Sequence, residues 1–257
     1  MLDWFSKKTA SVDDKDFVSL SSHELRTPLS VIKWYTEMLL DEDAGPLTDE
    51  QRKYLKTIES SNQQAIDLVR SLLNVSRLDL GTFRIVPSDV NLKDVLEEVL
   101  ASLESIRSRK NLSLVKDYDE TVSSITTDRK MCMVALKELL LNAYLYTQAG
   151  KQVTISLRNV KKGEGKVSKD GVLFTVKDEG IGIPVGEQDK VFTKMYKGSN
   201  SKDSDSKGSG LGLYIVKTIA CHLQGDTWFY SDEGGTSFSL LFPGDDVPAK
   251  EGRTALD

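Results

Sequence analysis

The apolar positions between Asp13 and Leu40 fall at helical intervals. Phe17, Leu20, Val31, Tyr35 and Met38 recur at spacings of three, four or their multiples, which predicts a helix. Pro28 lies inside it, and an interior proline removes one backbone hydrogen bond and kinks the rod. The stretch DEDAGPLTDE, with Gly45-Pro46, breaks the pattern. Thr48 followed by Gln51 reads as a capping box. Leu55, Ile58, Ala65, Val69 and Leu72 then mark the apolar stripe of a second helix that ends near Leu80-Gly81. Two long amphipathic helices joined by a short loop form an antiparallel hairpin. A lone hairpin cannot bury both stripes, so a homodimeric four-helix bundle is expected. The alternative is a hairpin packed on the rest of its own chain.

Beyond Thr82 the period changes. TFRIVPSDV resembles a short strand and turn, Leu92 to Ile106 a helix, and Leu112 to Val115 a strand. Asp128 to Tyr146 is a further helix, with Val134, Leu136, Leu139, Leu140 and Ala143 on its apolar faces. VTISLRNV and VLFTVKD alternate as strands around the polar turn KKGEGKVSKDG. A long polar loop rich in Gly, Ser and Lys follows, and loops of that length are usually functional. Leu211 to Leu223 closes the helices, and DTWFYSD with TSFSLLF makes a last hairpin. The expected organisation is a helical hairpin over 1–82, an α/β domain of helices layered on a mixed sheet over 83–245, and a loose tail over 246–257.

Composition narrows the function. With 34 Lys and Arg against 39 Asp and Glu, the formal net charge is -5, a poor match for nonspecific nucleic-acid binding. No run of about 18 apolar residues exists, and the first residues lack a signal-peptide core. A soluble, cytoplasmic chain is expected, with a sensor or membrane segment in a longer parent. Cys132 and Cys221 lie in amphipathic helices without metal-ligand spacing and read as reduced core thiols.

Candidate chemistry begins at His23, one of two histidines, in the string FVSLSSHELRTPL. Neutral imidazole is a good nucleophile near neutral pH, and an adjacent carboxylate, Glu24, can take its proton. Thr27 lies four residues on, on the same helical face. HELRTPL resembles the phosphoacceptor box of bacterial two-component sensor histidine kinases. That resemblance implies that His23 receives phosphate, Glu24 acts as base and Thr27 positions water for a phosphatase reaction. It also implies transfer to an aspartate of a response-regulator receiver domain, docked near Val31 to Met38.

In the second domain, Glu138 and Asn142 stand four apart on one helix face, where an amide oxygen suits Mg²⁺. Alone they are equally two polar surface residues. Asp178 ends a strand in DEGIGI, where Gly180 and Gly182 let backbone approach a flat ligand. GSGLGLYIVK places Gly208, Gly210, Leu211 and Gly212 at a helix start, a natural phosphate seat. The loop adds Lys194, Lys197, Lys202 and Lys207. In order, these strings resemble the asparagine, glycine and phenylalanine boxes of the same family's GHKL-type ATP-binding domain, an α/β sandwich. The resemblance implies ATP and Mg²⁺ as cofactors. Asn142 and Glu138 would lie at the metal, Asp178 would read the adenine amine, and Tyr146 would pack near the base. Phe192 would anchor the mobile loop, and EGGTSF would close a sheet turn near it. Glu138 stands where many members carry Asn and resembles the water-activating Glu of gyrase-type ATPases. Two positions depart from the pattern. Leu145 replaces a basic residue, and Lys197 replaces an Arg, losing its bidentate fork. The implied enzyme is an autophosphorylating histidine kinase whose ATP domain swings on a linker around Leu80–Pro87.

Overall fold

A computed structural model describes residues 12–201, 208–245, 247–252 and 254–256, with side chains in the first helix described from Glu24 onward. The chain divides into two compact units, Met1–Thr82 and Phe83–Asp257.

The first unit is a hairpin of α1 (Val12–Leu40) and α2 (Asp49–Leu80). Helix α1 runs through Pro28. The capping box at Thr48 is formed in both directions: Gln51 N–H donates to Thr48 Oγ1 at 3.2 Å, and Thr48 N–H donates to Gln51 Oε1 at 2.9 Å. Gly81 closes α2 in the left-handed region at φ 63°, where glycine has no Cβ penalty. Asn62 of α2 donates to the Leu29 carbonyl of α1 at 2.9 Å, one residue past the proline. Leu25, Val31, Ile32, Trp34, Tyr35 and Leu39 of α1 stay exposed, as do Tyr54, Ile58, Leu68 and Leu72 of α2.

The second unit holds, in order, β1 (Ser88–Val90), α3 (Leu92–Arg109), β2 (Ser113–Tyr118), β3 (Ile125–Thr127), α4 (Arg129–Tyr146), β4 (Gln152–Val160), β5 (Gly171–Asp178), α5 (Gly212–His222), β6 (Asp226–Asp232) and β7 (Gly235–Pro243). Five strands form a mixed sheet in the order β2-β4-β5-β7-β6, with only the β2–β4 pair parallel. Helix α4 packs between α3 and α5 and, with α5, against the sheet. Its buried positions come in adjacent pairs, Met131-Cys132, Ala135-Leu136, Leu139-Leu140 and Ala143-Tyr144. That wide apolar stripe is what a central helix needs. Alternation on the strands puts Val153, Ile155 and Leu157 of β4 beside Val176 and Phe174 of β5 on one face. Asp178 is the last position of that buried column, opposite Thr236 of β7.

Several expectations need correction. The described residues of the tail are not loose. Phe83 bridges Thr254 and Ile85 bridges Lys250, while Val247 and Leu256 are buried. The apolar residues of this short segment find a seat that its polar composition conceals. The linker expected over 80–87 contracts for the same reason. Leu80 ends α2, Arg84 and Ile85 donate their N–H groups to Thr254 and Lys250 at 2.9 Å each, and Val86 donates to Asp128 Oδ2 at 2.7 Å. Cys132 is buried, and burial pushes its thiol up to about 12, but Cys221 lies on the exposed side of α5. Strand β3, which pairs with β1, is too short to show a period.

Candidate active site

Asp178 sits where the buried face of β5 meets the end of the sheet. It is 4% exposed. Its Oδ1 accepts from Gly180 N–H at 2.8 Å and Thr236 N–H at 3.2 Å. Burial raises its pKa to about 6, against the opposing pull of those two bonds. The carboxylate is thus oriented through one oxygen and poorly solvated. Such a group gains from a ligand that donates a hydrogen bond.

Gly180 has no room for a side chain. A Cβ there would lie 2.6 Å from Asp178 Oδ1 and 2.7 Å from the Tyr146 carbonyl oxygen. Gly180 also forms an isolated bridge with Thr147, just past the end of α4. The asparagine helix and the first glycine turn therefore meet backbone to backbone. Tyr146 is half-buried, and a Cβ on Gly208 would stand 3.5 Å from its hydroxyl.

Glu138 and Asn142 are half-buried on α4. The Glu138 carboxylate abuts Gly212, the first residue of α5, closely enough that a Cβ there would collide with it. The N-cap residue of α5, Leu211, makes no side-chain cap, and its own N–H donates to Ser209 Oγ at 3.2 Å. One carboxylate and one amide, a helical turn apart, match the sparse protein ligation of Mg²⁺, which takes the rest from water and phosphate. No cluster of three or more acidic, histidine or cysteine metal ligands occurs among the described residues.

The loop between β5 and α5 is fastened at several points. Asn200 donates to the Gly182 carbonyl at 3.1 Å, and Ile183 N–H donates to Ser231 Oγ at 2.8 Å. Glu187 accepts from the Tyr196 hydroxyl at 2.5 Å and from Ser199 N–H at 2.9 Å, which holds its carboxyl down near about 2. Phe192 meets Phe229 of β6 edge-on, with centroids 5.9 Å apart. Gly210 packs on the backbone of Met195 and Tyr196. Lys194 lies 4.8 Å above the Tyr214 ring of α5, and Lys197 is exposed. Lys202 and Lys207 fall outside the described residues.

The structure joins Asp178, Gly180, Tyr146 and Gly208 in one run of contacts and sets Glu138 against Gly212 in another. Glu24 and Thr27 are exposed on α1, and the side chain of His23 lies outside the described ones. Sequence reasoning missed the part Thr236 plays at Asp178, although the GGTS string marks the turn. It also missed Asn200, which no local pattern distinguishes from a solvated polar residue.

The chain thus joins a helical hairpin to an α/β domain that carries a glycine-lined, buried carboxylate. Residues 14–81 match the His Kinase A (phospho-acceptor) domain family, and residues 127–246 match the histidine kinase-, DNA gyrase B- and HSP90-like ATPase family. The chain belongs to the two-component sensor histidine kinases. The cell-division control histidine kinase PdhS of Brucella ovis is 28% identical over 244 residues, 91% of this chain. The chain spans only 23% of that relative's length. Among solved structures, full-length ShkA in complex with AMPPNP aligns with a TM-score of 0.69 at 22% identity, over 91% of this chain and 47% of that one. The histidine kinase ThkA in complex with the response regulator TrrA aligns at 0.59 and 19% identity, over 90% of this chain and 61% of that one. Both likenesses are of fold. No helix of the described residues is long and apolar enough to cross a membrane.

Proposed function

We propose that this chain is the catalytic core of an autophosphorylating histidine kinase, in which His23 takes the γ-phosphate of ATP and passes it to an aspartate of a response regulator. The observation that carries this reading is the buried Asp178 carboxylate, oriented by Gly180 and Thr236 against the end of α4, in a chain that also holds the HELRTPL string. Asp178, oriented by Gly180 and Thr236, accepts the adenine amine. Tyr146 flanks the base. The start of α5 faces the phosphates, since backbone N–H groups at a helix N-terminus favour anions. Glu138 and Asn142 would hold Mg²⁺, whose charge offsets that developing on the phosphates. An imidazole nitrogen of His23 forms the bond to phosphorus as the β–γ bridging bond breaks and ADP leaves. Glu24 takes the proton from the other ring nitrogen.

The complexes of ShkA with AMPPNP and of ThkA with TrrA support the nucleotide and the partner by analogy. Thr27 would direct water in a reverse, phosphatase reaction on the regulator. A second copy of the chain would cover the apolar residues exposed on α1 and α2. Units 1–82 and 83–245 would act as acceptor and catalytic domains, with the junction near Thr82–Phe83 permitting their approach.

The test is incubation with γ-labelled ATP and Mg²⁺. An acid-labile, base-stable label on the wild type, absent from H23Q, is expected. No label on the wild type would sink the kinase reading, and label on H23Q would misplace the acceptor.

A further inference from the structure

The ammonium of Lys110 is engaged wholly by backbone carbonyls. Its Nζ donates to the carbonyl oxygens of Tyr144 at 2.8 Å, Leu145 at 2.7 Å and Thr147 at 2.7 Å. All three donors of a lysine are thereby used. The first two acceptors belong to the last turn of α4, whose carbonyls have no partner within the helix. A cation there also meets the negative end of the helix dipole. The third acceptor lies beyond the helix, on the residue that bridges Gly180.

The backbone of Lys110 is held as well. Gly150 N–H donates to its carbonyl at 3.0 Å, and Lys110 N–H donates back into α3 at Ile106. The lysine thus ties the end of α3 to the exit of α4 from both sides of its own peptide. Partial burial lowers its pKa, the direction expected for an amine withdrawn from water, so the three carbonyls are its main solvation.

What Lys110 holds is the segment on which the adenine end of the site rests. Thr147 pairs with Gly180, Gly180 crowds the Tyr146 carbonyl, and Gly180 N–H orients Asp178. The contact at Gly180 leaves no slack, because even one methyl group would collide with both neighbours. A displacement of the α4 exit must therefore be passed on to Asp178.

We propose that Lys110 is a positioning residue for base recognition, setting adenine selectivity through Thr147, Gly180 and Asp178 without touching the nucleotide. The proposal rests on the reading of Asp178 as the adenine acceptor. A residue that merely stabilised the fold would weaken all nucleotides alike. A positioning residue for the base must alter the ratio of ATP to GTP affinity.

The experiment measures Kd for non-hydrolysable ATP and GTP analogues on the full chain, for the wild type, K110M and D178N, with melting curves for each. In K110M the ATP preference should fall at least fivefold while a cooperative melt is retained. If D178N collapses the preference and K110M leaves it intact, the Lys110 proposal is overturned and the site reading stands. If D178N leaves it intact, the site reading fails and takes the proposal with it. K110Q, whose amide keeps two donors, replaces K110M if the latter melts below the assay temperature. An unchanged ratio, or failure of both variants to fold, would make Lys110 a fold-holding residue and overturn the proposal.

Discussion

Asp178 shows how one residue couples folding and binding to pH. Its carboxyl titrates near about 6 in the folded chain, above the ordinary 3.8. A raised folded pKa means that the native state holds the proton more tightly. The resulting stability is complete below about 3.8 and is lost as pH rises through about 6. Roughly two units correspond to about 3 kcal/mol of strain carried by the ionised, unliganded site. A ligand that donates a hydrogen bond to the ionised form recovers part of it. Nucleotide affinity should therefore fall about tenfold between pH 7 and pH 5, as the competent form is depleted. Calorimetric titration of an adenine nucleotide across that range tests this, and D178N should flatten the dependence. An equal slope in the variant would remove Asp178 from recognition. The residue type and its place after a strand were legible in sequence. Its second anchor was not, because Thr236 lies 58 positions away and sheet pairing alone brings it near.

At the scale of elements, the hairpin was legible because long helices repeat their signals many times. The box at Thr48, the stop at Gly81 and the apolar stripes all agree, and agreement among local cues is what makes a prediction secure. The tail was not legible, since two buried residues in a polar segment carry no period. Val247 and Leu256 are buried, and each such side chain contributes about 1.5–3 kcal/mol. Beneath the tail, His222 meets the Phe83 ring at 4.6 Å, and Lys250 lies 3.7 Å from the centroid of that ring. Burial, then the Lys250 charge, lowers the imidazole to about 4. A depressed histidine supports the fold above about 6.5, and that support is lost as pH falls through about 4. Deleting residues 247–257 should lower the melting temperature at pH 7 and move His222 upward towards 6.5, read by its ring proton shifts. A tail that adds nothing would leave both unchanged. The same deletion would free Phe83–Ile85, lengthening the connection between the two units.

For the whole molecule, the exposed apolar residues of the first unit are the least satisfied feature. Trp34 is 58% exposed, Tyr35 55% and Tyr54 56%, and so many large apolar side chains left in water on two helices point to an interface. Light scattering should give a dimer, and I58E should shift it towards monomer by at least tenfold in Kd. A monomeric wild type at micromolar concentration would leave that surface without its proposed partner. Function was legible in order rather than in any single string. A turn such as DEGIG is common, but an acceptor histidine, an asparagine helix and two glycine turns in sequence are not. The loop lysines were the least legible, because such residues look alike in sequence and only the fold sets Lys194 over Tyr214.

The central claim is that His23 accepts phosphate from ATP bound in the same protein. Site-resolved mass spectrometry, run at alkaline pH to preserve phosphohistidine, tests it most directly. After incubation with ATP and Mg²⁺, phosphate should lie on the peptide containing His23, and D178N should reduce its yield at limiting ATP. Phosphate on a serine or threonine alone, or ADP released with no phosphopeptide, would contradict the account.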